Sequence, residues 1–103
     1  MTENGVEINE TDEKEYSESF LIVRNALGIH VRPAGVIVRA LQDEPNEILF
    51  CYNSQEVNAK SILGILTLGA SEGARILVRI KGKNTPETMQ RLREIFENKF
   101  GET

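Results

Sequence analysis

Apolar and polar residues change their spacing several times along this chain, and each change marks a predicted element. Phe20-Leu21-Ile22-Val23 predicts a first strand, which Asn25-Ala26-Leu27-Gly28 breaks. After His30, the apolar residues Ala34, Ile37, Val38 and Leu41 recur at helical spacing. Pro33 suits the first turn of that helix, where its missing donor has no backbone partner to lose, and Asp43-Glu44-Pro45-Asn46 ends it. Glu47 to Tyr52 predicts a second strand, Asn53-Ser54 its turn, and Gln55 to Asn58 a short strand pairing back. Ser61 stands before Ile62-Leu63-Gly64-Ile65-Leu66, a short helix that the serine caps and Gly69 closes. From Ala74 to Lys81 the alternation is strict, with Ile76, Val78 and Ile80 on one face and Arg75, Leu77, Arg79 and Lys81 on the other. Thr85 as cap and Pro86 as first residue open a last helix, whose Met89, Leu92, Ile95, Phe96 and Phe100 form an apolar stripe up to Gly101.

The predicted order is strand, helix, strand, strand, helix, strand, helix, and all the helices can lie on one face of a four-stranded sheet. This is an α+β, two-layer arrangement. At 103 residues the chain can bury a core without disulfides or metal. Charge then divides it unevenly. Residues 1–18 carry seven acidic side chains against Lys14 alone, so they are expected to form a disordered acidic extension. The remaining 19–103, the expected domain, hold 11 basic and 9 acidic residues and are slightly positive.

Several chemistries are excluded by what the chain lacks. With one histidine and one cysteine it cannot assemble the common zinc sets from a single copy, and no acidic run has calcium-loop spacing, so neither metal nor cofactor is expected. Gly64 to Gly69 has the glycine spacing of a nucleotide-binding loop, but Ala70 stands where a lysine is required. Cys51 lies mid-strand among apolar neighbours, which reads as packing; pairing with His30 as a nucleophile is the remote alternative. There is no basic run interleaved with aromatics for nucleic acid, no apolar segment long enough for a membrane helix and no secretory leader, which implies a cytoplasmic protein.

What remains is Gly28-Ile29-His30-Val31-Arg32-Pro33-Ala34. A glycine before His30 allows a tight turn, and a helix starting just after it aims free amides and a positive dipole end at the imidazole. Those amides and the Arg32 guanidinium could hold phosphate oxygens, and the same field favours a phosphoryl group's negative charge. A histidine before a helix is more commonly a simple cap than a nucleophile, and the residues alone leave both readings open.

Leu27-Gly28-Ile29-His30-Val31-Arg32-Pro33-Ala34, followed by Val57-Asn58-Ala59-Lys60-Ser61-Ile62-Leu63-Gly64 and Leu68-Gly69, resembles the HPr family of the bacterial phosphoenolpyruvate:sugar phosphotransferase system, over Phe20 to about Phe100. The resemblance implies an open-faced β-sandwich, a four-stranded antiparallel sheet with three helices on one face, in a monomer. It implies a phosphoryl carrier rather than an enzyme in its own right. His30 would take a phosphoryl group from phosphorylated enzyme I, on the ring nitrogen nearer the backbone, and pass it to a sugar-specific EIIA domain. Arg32 would steady the phosphate, and Gly35, Ile62 and Leu63 would form the surface on which partners dock; for Ile62 core packing is an equal alternative. Ser61 matches the serine that HPr kinase/phosphorylase modifies in many bacteria, although capping alone would account for it. A regulatory module switched by Ser61 phosphorylation is the alternative function. Val31 departs from the small residue usual between the histidine and the arginine, and the acidic extension is atypical.

Overall fold

A computed structural model describes residues 14–102. Four strands, β1 (Glu15–Ile22), β2 (Glu47–Tyr52), β3 (Gln55–Asn58) and β4 (Arg75–Gly82), form one antiparallel sheet in the order β1-β4-β2-β3. Helices α1 (Val31–Ala40), α2 (Ile62–Thr67) and α3 (Thr85–Glu97) cover one face. The α+β, two-layer architecture is the one the residue pattern predicts.

Alternation in β4 follows the sequence pattern: Ile76, Val78 and Ile80 are fully buried, whereas Arg75, Leu77, Arg79 and Lys81 face outward. Leu21, Ile48 and Phe50 join them from the flanking strands, and Ala34, Ile37, Ile65, Met89, Leu92 and Phe96 close the core from the helices. Asn53 and Ser54 both take positive φ (54° and 66°), the two-residue turn whose twist matches a hairpin.

The N-terminal boundary needs correction. The sheet begins at Glu15, so residues 15–18, expected to belong to a disordered extension, pair with Arg79 to Gly82. The expectation for residues 1–13 lies outside the described residues. The inward positions of β1 that precede Leu21 are Ser17 and Ser19, polar enough to hide the strand's period but short enough to fit under α3. Ser17 Oγ lies 2.7 Å from Thr85 Oγ1, and Arg93 donates to Ser19 Oγ at 3.3 Å. On the open face Tyr16 and then Arg79 hydrogen bond Glu18 and hold its carboxyl below the usual range.

The opening of α3 also differs by one residue. Thr85 is its first residue rather than its cap; Asn84 precedes it at φ 55° and makes no side-chain cap. The Thr85 amide donates instead to the Glu15 carboxylate at 3.1 Å, a negative charge at the positive helix end. At the other end α3 stops at Glu97, short of Phe100. Phe100 belongs to a separate turn, Lys99–Gly101, and still packs edge-on to Phe96 with ring centres 4.9 Å apart.

Candidate functional site

The loop from β1 to α1 is held by backbone. Val23 N–H donates to Ala74 carbonyl oxygen at 2.9 Å, and Ile29 N–H to that of Ala70 at 2.9 Å. Between them, Gly28 N–H donates to Asn25 carbonyl oxygen at 3.1 Å, closing a tight turn. Gly28 sits at φ 71° against the Ala70–Ser71 backbone, where an added Cβ would come within 2.5 Å of the Ala70 carbonyl oxygen. Only glycine fits, because backbone on that side cannot move aside as a flexible side chain could.

This loop delivers His30 in an extended conformation immediately before α1, whose first helical bond runs from Ala34 N–H to the His30 carbonyl oxygen. The ring makes no side-chain cap, so it does not consume the amides that open the helix. Capping, the commoner role, is thereby set aside for His30. Arg32, in the first turn, is exposed. Pro33 and Ala34 are buried and anchor the turn beneath them.

The imidazole engages a residue that sequence reasoning missed. His30 Nε2 lies 2.9 Å from Glu102 Oε2. The other oxygen, Oε1, accepts from Asn25 Nδ2 at 2.8 Å, and the same amide donates to the Gly28 carbonyl oxygen at 2.7 Å. Two acceptors on one NH2 group fix the amide's orientation. Asn25 is fully buried, and its Oδ1 is the buried side-chain atom left without a partner among the described residues. Asn25 first, then His30, with Arg32 acting through its charge, hold the Glu102 carboxyl below the usual glutamate range. No local pattern announces Glu102, 72 residues from His30 in sequence. Asn25 shows along the chain only as part of a strand-breaking turn.

Glu102 reaches the site because the chain after α3 turns back sharply. Lys99, Phe100 and Gly101 all take positive φ, at 57°, 56° and 81°. For the two non-glycine residues this costs on the order of 1 to 3 kcal/mol each, which burial of Phe100 against Phe96 helps to offset. The Glu102 amide then donates to the Lys99 carbonyl oxygen at 2.8 Å. Ala26, Leu27, Arg32, Gly101 and Glu102 line a shallow recess.

The remaining predicted residues sit on neighbouring surface. Ser61 caps α2, its Oγ accepting from Gly64 N–H at 3.0 Å. Ile62 (40% exposed) and Leu63 (77%) project outward, so core packing does not explain them. With Leu27 and Val31 they place exposed apolar side chains on the segments that lead into and open α1 and α2, which pack together. Gly35 is half-buried, and an added Cβ would meet nothing within 4 Å, so packing does not demand a glycine there.

Cys51 is not brought to His30. It lies half-buried on the open face of the sheet, opposite the helices, where burial pushes its thiol up and Glu56 Oε2 is 4.0 Å away. The two cannot act as a pair. No group of three or more metal-ligating side chains occurs among the described residues, and none of their helices is long and apolar enough to cross a membrane.

The domain is thus a two-layer α+β fold that presents a non-capping histidine and an exposed arginine at one helix start. Residues 17–98 match the family model PTS-HPr, described as the PTS HPr component phosphorylation site. The chain is 47% identical over 91 residues to the phosphocarrier protein HPr of Chlamydia pneumoniae, covering 88% of this chain and 84% of that one. It is 48% identical over 94 residues to that of Chlamydia muridarum, covering 91% and 89%. A crystal structure of an HPr from Thermoanaerobacter tengcongensis superposes with a TM-score of 0.79 at 33% identity, over 84% of this chain and 98% of that one. The chain belongs to the HPr family of phosphocarrier proteins of the phosphotransferase system.

Proposed function

We propose that His30 accepts a phosphoryl group from phosphorylated enzyme I on Nδ1 and passes it to a sugar-specific EIIA domain. The observation that carries this reading is the division of labour on the ring: Nε2 is engaged by Glu102, and the ring caps nothing. With the proton on Nε2, the Nδ1 lone pair is the nucleophile, on the side nearer the backbone. Arg32 and the first-turn amides then supply donors for the three phosphoryl oxygens. A helix end is worth on the order of 0.3 to 2 kcal/mol to an anion, enough to favour the phosphoryl group and little enough to release it.

Leu27, Val31, Ile62 and Leu63, with the unobstructed backbone of Gly35, supply an apolar surface for both partners. Incubation with phosphoenolpyruvate and enzyme I should give an acid-labile phosphohistidine in the wild type and none in His30→Ala. An unlabelled wild type, beside an HPr that labels under the same conditions, overturns the proposal.

A second role is favoured by the position of Ser61, which adjoins exposed Ile62 and Leu63. Phosphorylation of Ser61 by HPr kinase/phosphorylase would add nearly two negative charges there. For unit charges ~8 Å apart at an effective dielectric of ~20, Coulomb's law gives about 2 kcal/mol, enough to weaken docking to an acidic partner. Partner affinity measured with and without the modification, with Ser61→Ala as control, reads this directly; equal affinities exclude the switch.

A further inference from the structure

We infer that Glu102, braced by Asn25, is a positioning residue for phosphoryl transfer: it holds the His30 proton on Nε2 throughout, leaving Nδ1 to make and break the bond to phosphorus. This rests on the carrier reading above and assigns a task to a residue outside the segment that bears the histidine.

The geometry supplies three links. The Glu102 carboxylate places Oε2 2.9 Å from Nε2 and Oε1 2.8 Å from Asn25 Nδ2, so both its oxygens are engaged. Asn25 is fully buried and donates its second proton to the Gly28 carbonyl oxygen, tying the carboxylate to the turn that positions the histidine. Buried Phe100 fixes the reversed chain that delivers Glu102. An ionised carboxylate accepts and does not donate, so the contact requires the proton to reside on the imidazole.

The transfer balances without moving that proton. The Nδ1 lone pair attacks the phosphorus of the incoming phosphoryl group, and the bond to the donor breaks with its electron pair staying on the donor. The ring then bears phosphorus on Nδ1 and hydrogen on Nε2, and carries a positive charge that faces the Glu102 carboxylate. When an acceptor nucleophile attacks phosphorus, the N–P electron pair returns to Nδ1 and the neutral ring is regenerated with the same proton. Glu102 therefore opposes the positive charge that the ring gains on loading and loses on delivery.

The test uses the full chain as wild type, Glu102→Ala and Glu102→Gln. The first readout is the low-field proton resonance of His30 Nε2–H, which exchanges slowly only while an acceptor holds it. It should be present in the wild type, lost in Glu102→Ala and retained in Glu102→Gln, whose amide oxygen still accepts. The second readout is phosphorylation by enzyme I and phosphoenolpyruvate. In Glu102→Ala kcat should fall about tenfold with KM unchanged, the loss of an interaction made in the transition state, and Glu102→Gln should recover part of it. Persistence of the resonance in Glu102→Ala, or transfer at the wild-type rate, overturns the inference. If the wild type is never phosphorylated, the carrier reading fails by itself, while the resonance still decides whether Glu102 holds the ring.

Discussion

Helices α1 and α2 open side by side with a polar residue in extended conformation, yet the two residues treat the helix end oppositely. Ser61 turns its hydroxyl back onto Gly64 N–H and closes the end of α2. His30 turns its ring away, to Glu102, and leaves the end of α1 open. One helix start is closed by its own residue's side chain and the other is not, and the choice lies in where the side chain finds its partner. Ser61 finds it three residues away. His30 finds it in a segment that only the tertiary fold brings near.

Substitution should split the two ends cleanly. His30→Ala should abolish phosphohistidine formation entirely, and because the ring caps nothing it should change the unfolding free energy less than Ser61→Ala does, as read by urea denaturation. Gly28→Ala attacks the geometry that holds the α1 end open: with φ at 71° and backbone 2.5 Å from the new Cβ, it should cost about 2 to 4 kcal/mol of stability. Its labelling rate, measured well below the lowered melting temperature, should fall as His30 shifts. Ser61→Ala should cost ~1 kcal/mol for the lost cap while labelling persists. If it also stops labelling, the two helix ends are not separable.

The smallest effect is a pH dependence. Glu102 is held below the ordinary value of 4.5 by Asn25, His30 and Arg32, so it binds fewer protons in the folded chain than in the unfolded one. Its contribution is therefore present above that ordinary value and is lost as pH falls through the lower folded one. Melting temperatures of wild type and Glu102→Gln should differ at neutral pH, with the wild type higher, and the gap should narrow in acid below about pH 4. A gap that stays constant with pH would mean that Glu102 is not ionised in this contact.

Elements with a strict period are legible in the residue pattern alone. β4 alternates over eight residues, α1 repeats its apolar face at helical spacing, and Asn53-Ser54 marks a hairpin; all three stand where the pattern puts them. The pattern makes β1 too short because Ser17 and Ser19 face inward, and two small polar residues on the buried face erase the alternation. It makes α3 too long because Phe100 continues the apolar spacing of Met89, Leu92 and Phe96 while the backbone has already left the helix. A side chain can reach the core from a left-handed turn as well as from a helix, and spacing alone does not distinguish them. Glu15 belongs by composition to a solvated acidic run, yet it reaches the open amide of Thr85.

Residue types along the chain were enough to set the local chemistry: a histidine and an arginine at one helix start, a serine able to cap the next, and the glycine required by the turn before the histidine. These depend on residues within a few positions of each other, where backbone geometry follows directly from residue type. Which helix end would be closed and which left open was decided by tertiary structure. Glu102 meets His30 and Asn25 only because Phe100 is buried just after α3 and the chain turns back over it. A contact across 72 residues depends on how the layers pack, and no periodicity along the chain encodes it.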